Sequence, residues 1–455
     1  MTQDYLGNPL DTERPDTRQG IDEFVAGFLA YEPRAEHIVA AAEADPESAL
    51  ANAFAGLLMM FAESPQAPAL AAGYLRRAQA VATQQPRAQR YIDLLKAWSG
   101  DDLPRAIALS AALLDDYPRD LLAAKLNQYF EFNRGNSPAM LRTGLKAVHG
   151  APDIAQAHGM LAFAYEQCHL LEQAEAAARH ALELYPAEPW AQHALAHVYL
   201  THGQIDEGTR FLETASAGWD GLNSFMYTHN WWHLALFHLA RGRNARVLDI
   251  YDQHVWGVLP EYSQDQIGAV SLLARLELAG IDVGARWQAL APYLAERRAD
   301  TVQPFLSLQY LYGLARAGRA EADQLLDALQ RHARDSRAFD RETWIDVTLP
   351  IGEGLVAHAR GDYPSAARLI GQGLPRLVGI GGSHAQRDLF AQFELDARRR
   401  AGDWLSAQQS LEQRRRYDAL DVPTNRQLAE VYRALGLPSE AARAEQRVVA
   451  VLARG

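Results

Sequence analysis

Cysteine is nearly absent. Cys168 is the only one in 455 residues, so no intramolecular disulfide can form and nothing points to an oxidising compartment. Long apolar runs are missing too, since none approaches the roughly 20 residues needed to span a bilayer. The opening stretch, MTQDYLGNPLDTERPDTRQG, is polar and acidic, with neither the basic start nor the apolar middle of a secretory leader. Positive charge is in deficit, with a net charge of −12 and a pI near 5.7. That balance argues against a general nucleic-acid binder, because neutralising phosphates requires a basic surface. Strand-like alternation is not sustained anywhere. There is no nucleophile elbow and no phosphate loop, and GIGGSHAQRD lacks the strand-then-helix setting of a dinucleotide site. These absences leave a cytoplasmic protein, away from membranes and nucleic acids, as the expectation.

What is there is ordinary for a folded chain: 48% hydrophobic and 22% charged residues. A chain of 455 residues is too long for one compact core, so it needs several domains or an elongated repeat array. Ala-, Leu- and Arg-rich segments of 3.6-residue period alternate with short turns. The turns centre on Gly100, Gly135, Gly203, Gly242, Gly280, Gly318, Gly361, Gly402 and Gly436, with His169 in the equivalent place between Gly135 and Gly203. The intervals run mostly from 34 to 43 residues, which is the signature of a helical repeat array.

The tetratricopeptide pattern is clearest in mid-chain. In AQAHGMLAFAYEQCHLLEQAEAAARHALELYP, Leu161, Ala162 and Tyr165 share one helix, and Ala174, Ala178 and Ala181 the next. PWAQHALAHVYLTHGQIDEGTRFLETA repeats this with Leu195, Ala196, Tyr199, Gly208, Leu212 and Ala215. Trp231, Leu234, Ala235 and His238 continue the register. The expected fold is therefore all-α: a tetratricopeptide-like solenoid of about ten helical hairpins forming a curved superhelix. Residues 1–18 are expected to be an extended arm and 19–150 degenerate repeats. The best-formed units should span 151–257, with further repeats and a cap over 258–455.

Register also assigns roles to the rings. Trp231, His238 and His158 fall on packing slots. His193 and His197 are spaced by four on the groove side of one helix, and His229 and His233 repeat the spacing on the next, bordered by Trp190 and Trp232. Such pairs on adjacent helices should face one another across about 10 Å. A second constellation lies in IGGSHAQRDLFAQFELDARR. Ser383 reads as an N-cap, and His384, Arg387 and Asp388 share a face at the helix start, beside Gln386. That position favours bound negative charge, and Asp388 could fix the tautomer of His384. Asp265 is a second candidate orienting carboxylate.

DYLGNPLDT, AHGMLAFAYEQ, WAQHALAHVYLTHGQIDEGTRFL, HNWWHLALFHLARG, SLLARLELAG and GGSHAQRDLF occur in order along nearly the whole chain. In these the chain resembles the tetratricopeptide-repeat protein 38 family. The resemblance implies an α-helical repeat protein of soluble compartments and does not define an activity. It also implies a histidine near position 52 and an Asp-x-His over 307–309, where this chain has Asn52, Ser307 and Gln309.

Three functions follow as expectations. In the first, a concave pocket binds a small polar, even anionic, molecule. His193, His197, His229, His233, His384 and Asp388 would supply acid–base chemistry of the hydrolase or lyase type. Trp190, Trp232, Arg387, Asp265 and Gln386 would hold the substrate. In the second, the groove is a non-catalytic scaffold for a peptide or partner protein. In the third, His193, His197, His229 and His233 ligate a metal, although no cofactor is required by any motif.

Overall fold

Alanine at every third or fourth position lets two helices lie close together, and the hairpin Ala155–Gln167 with Leu171–Leu184 is built that way. Ala174, Ala178 and Ala181 are all fully buried against it. In the next hairpin Gly208 occupies the small-residue slot, where an added methyl would overlap the Phe237 ring. The turn between helices needs one left-handed residue, so that the following N–H can reach back to the last carbonyls. Asp101, Gly135, His169 and Gly203 supply it, with φ of 59°, 70°, 56° and 68°. They stand 34 residues apart, the tetratricopeptide period. Gly100, expected at this position, is not left-handed (φ −93°); the conformation falls on Asp101 instead.

The computed structural model describes residues 2–335 and 339–453; Met1, 336–338 and 454–455 lie outside the described residues. Among the described residues the fold is all-α. Helices from Pro15–Ala30 to Pro438–Leu452 pair into successive hairpins, and the only extended pairing is a single bridge between Gln3 and Pro9. None of these helices is long and apolar enough to cross a membrane.

Contacts divide the chain into two units. The first is Met1–Leu195 with Gly218–Met226, and the second is Ala196–Ala217 with Tyr227–Gly455. The divisions fall inside the helices Pro189–Thr201 and Ser224–Ala240.

In the first unit the N-terminal stretch is folded back on itself rather than extended, and its first helix starts at Pro15. Asp4 organises the turn, accepting from the N–H groups of Leu6 (3.0 Å) and Asn8 (2.8 Å). Arg87, fully buried, pairs with Asp4 at 3.2 Å and Asp120 at 2.7 Å. Asn52 is likewise structural, donating to Ser48 O at 2.8 Å and accepting from Arg77 at 2.8 Å.

The second unit runs from the Ile205–Ala215 hairpin through Ser263–Leu278, Pro304–Arg316 and Leu349–Ala359 to His384–Arg400 and Val422–Ala434. Within this unit the last hairpins return to the first. Arg241, buried, bonds Asp206 at 3.2 Å and Asp418 at 2.7 Å, and Gln427 donates to Leu278 O at 3.1 Å. Gly203 sits against the Tyr417 carbonyl, leaving no room for a side chain. Ser307, buried in the same unit, donates to Asp300 O at 2.8 Å, and Gln309 is buried beside it.

A paired substitution tests this closure. Gly203→Ala and Gly280→Ala both force a methyl onto a left-handed residue (φ 68° and 81°), which costs about 1–2 kcal/mol. Only Gly203→Ala also collides with Tyr417, since nothing lies within 4 Å of a methyl at 280. It is therefore expected to lower Tm further and to open the 416–421 segment to limited proteolysis. Equal behaviour of the two variants would show that the Tyr417 contact contributes nothing.

Candidate functional site

Three stretches of the second unit converge on one cluster of rings. His229 and His233 lie one turn apart on Ser224–Ala240, so both face the same neighbours. His197 presents its ring 4.6 Å from that of His233, centroid to centroid, and His229 lies 4.8 Å from His233. Trp232 stacks on His229 at 5.4 Å with planes 8° apart.

The third stretch is the start of His384–Arg400. Here Ser383 accepts from Gln386 N–H while Gln386 accepts from Ser383 N–H, a reciprocal cap that fixes the first helical turn. It places His384 5.2 Å from His197, edge-on at 83°, with Nε2 3.2 Å from Thr201 Oγ1. The start of this helix thus meets the mid-chain His197 within the second unit.

His197 and His233 are 0% exposed and Trp232 is 1% exposed, while His229 and His384 are half-buried at the edge of the cluster. Burial, with the neighbouring His197 adding to it, pulls His229 down to about 3. Its ring is therefore neutral at physiological pH, one nitrogen donating and the other accepting.

Other expected site residues take different places. Asp388 does not orient His384. Its carboxylate is held by Arg414 at 2.6 and 2.9 Å and by Gln392 at 2.6 Å, with Arg275 at 3.7 Å. Burial opposes its charge, but Arg414 and Arg275 outweigh it and hold the carboxyl well below the usual range. Arg387 donates to the carbonyls of Gly381 and Gly382, bracing the turn. Gln386 is committed to the cap. Asp265 accepts from Leu259 N–H at 2.9 Å and Thr228 Oγ1 at 3.4 Å, which anchors the loop before Ser263–Leu278.

His193 and Trp190 belong to the first unit, where they stack at 4.4 Å and 16° beside Phe163. The proposed metal set is thus divided between the units, leaving His197, His229 and His233 together in the second. The packing residues fall as expected: Trp231 stacks on His254 at 3.8 Å, and His238 is buried 3.5 Å from Glu213.

Sequence reasoning missed Arg275. It lies in SLLARLELAG between Leu273 and Leu276, both fully buried. An arginine on so apolar a face was the available signal, since buried arginines need partners. Its guanidinium stands 5.6 Å over Trp232 and donates to Ala385 O at 2.7 Å, tying the helix Ser263–Leu278 to the ring cluster.

No protein-family profile matches the sequence. Among solved structures the chain is similar to the human IFIT1 dimer with PPP-AAAA, at 14% identity over 89% of this chain and 91% of that one, with a TM-score of 0.41. The APC/C hetero-tetramer Cut9–Hcn1 matches at 12% identity over 96% and 94%, with a TM-score of 0.37. The P58(IPK) TPR domain matches at 12% over 81% and 97%, with a TM-score of 0.21. At these values they bear on neither the site nor its chemistry.

Proposed function

We propose that the protein is a tetratricopeptide-type binding protein of the cytoplasm, related to the tetratricopeptide-repeat protein 38 family. In this reading its second unit takes up a small polar molecule at His197, His229, His233, Trp232 and His384. The observation that carries the reading is the gathering of four imidazoles and an indole from three distant stretches in a chain of ring contacts, with His197, His233 and Trp232 buried. Apolar rings would fill the same space without the desolvation cost of polar nitrogens. Imidazoles in contact can also exchange a proton with a bound molecule, so acid–base chemistry of the hydrolase or lyase type is the catalytic extension.

Screening a metabolite panel against the full chain by thermal shift is expected to give a ligand-dependent rise. A compound at 100 times its Kd should stabilise by about 2.7 kcal/mol. His233→Asn should abolish the rise while the unliganded protein still melts cooperatively. A rise that survives His233→Asn would place the ligand elsewhere, and stoichiometric zinc or iron in untagged protein would favour the metal alternative.

A partner-protein scaffold is the second reading, and a separate observation favours it. The C-terminal hairpins expose Leu405, Tyr417 and Val449 at 69%, 70% and 65%, and exposed apolar side chains of this size are what a protein partner covers. Binding of peptides but no metabolite would decide for it.

A further inference from the structure

Resting on the ligand site proposed above, we infer that its occupant carries a carboxylate, anchored by Arg275 with Ser271 and Trp232. Three buried donors on these residues lack a hydrogen-bond partner among the described residues: Trp232 Nε1, Ser271 Oγ and Arg275 Nε. The residues are only 1%, 4% and 4% exposed. Ser271 and Arg275 are spaced by four on Ser263–Leu278 and share a face, and Arg275 stands 5.6 Å over Trp232. An indole N–H and a guanidinium N–H can only donate, and a serine hydroxyl can turn to donate. Such a set matches a group that only accepts, which is an ionised oxyanion.

Charge selects the kind of oxyanion. Asp388, the only carboxylate in ion-pair range of Arg275 among the described residues, is 3.7 Å away and engaged in two shorter bonds to Arg414. Arg275's other bond is to a neutral carbonyl, Ala385 O. The guanidinium is thus buried with an incomplete counter-charge. Burial draws it down to about 10 despite Asp388, with Arg414 adding to the fall. An incompletely paired guanidinium favours a monoanion, and arginine's planar fork matches a carboxylate. A phosphate dianion would bring one negative charge too many. Nearby His229 is neutral and cannot supply the balance.

The test uses the full chain with histidine-ring NMR signals as a local readout. It titrates acetate and propionate, their amides acetamide and propionamide, and inorganic phosphate. The carboxylates are expected to shift the signals of His229 and His233, with the amides at least about 30-fold weaker. Arg275→Gln should weaken carboxylate binding by a similar factor, and Ser271→Ala by about 3- to 10-fold. Ser271→Ala removes no side-chain hydrogen bond among the described residues, so it remains informative even if Arg275→Gln fails to fold. Amides binding as well as acids, or phosphate binding more tightly than either carboxylate, would overturn the carboxylate assignment and leave the polar-ligand reading standing. Carboxylate binding unchanged in both variants would overturn the anchor. No response of the ring signals to any probe would overturn the ligand site itself.

Discussion

Arg87→Met is expected to destabilise the first unit by about 3–5 kcal/mol, the range for breaking a fully buried ion pair by removing one partner. Arg87 is 0% exposed and its guanidinium is shared by Asp4 and Asp120. A third bond runs to the Pro9 carbonyl at 3.2 Å. Methionine fills most of the space but leaves two carboxylates buried with no counter-charge. Tyr91, which donates to Asp120 at 2.6 Å, cannot neutralise it. The loss should be largest near pH 7 and shrink toward pH 4, where the orphaned carboxylates can take protons. Because Asp4 also holds the N–H groups of Leu6 and Asn8, residues 2–14 should become protease-sensitive before the helices do. Urea unfolding of the first unit's transition measures the effect, and a loss under about 1 kcal/mol would contradict it. The triple variant Asp4→Asn, Arg87→Met, Asp120→Asn should recover most of the stability, since it buries no charge.

The second large effect is acid lability of the ring cluster. His229 is held at about 3 in the folded protein and titrates near 6.5 when unfolded. Between those values the unfolded chain binds a proton that the native state does not, so stability rises with pH across the window and is lost as pH falls through it. From pH 6.5 to 4 the loss is about 3 kcal/mol, at about 1.4 kcal/mol per unit. His238, brought to about 4 by burial and by Arg243 and Arg246, adds in the same direction. Glu188 of the first unit works oppositely. Burial pushes it up to about 7, so its contribution falls as pH rises from 4.5 to 7. The clean quantity is therefore the difference in urea stability between wild type and His229→Gln, followed from pH 7 to 4. It is expected to narrow steadily with acid, and a difference independent of pH would show that the ring is protonated in the native state.

Much of the fold was legible because a helical hairpin is a local object. Ala174, Ala178 and Ala181 announce a close helix–helix contact within one repeat. The left-handed residue that ends the first helix of each hairpin recurs every 34 residues from Asp101 to Gly203. Gly100 misled only because glycine is the usual occupant, whereas the backbone places Asp101 there. Helical phase likewise put His229 and His233 on one face, and the Ser383 cap was readable from its own four residues. What escaped depended on residues distant in sequence. Asp388 pairs with Arg414, 26 positions away on the next helix, so its spacing to His384 was a poor guide. The burial of the rings follows from contacts such as Arg241 with Asp418, separated by 177 residues, which no local periodicity reports. Arg275 was hidden for the opposite reason: its neighbours are so apolar that the helix read as core throughout.

The return of the last hairpins to the first, through Arg241–Asp418, Gly203–Tyr417 and Gln427–Leu278, changes how the second unit must assemble. Open repeat arrays can fold repeat by repeat as they leave the ribosome, each needing only its immediate predecessor. Here residues 196–217 emerge early but gain their final neighbours only after residues beyond 420 have been made. Until then the imidazoles at 197, 229 and 233 stay wetted, and shortening the chain by one repeat uncaps them.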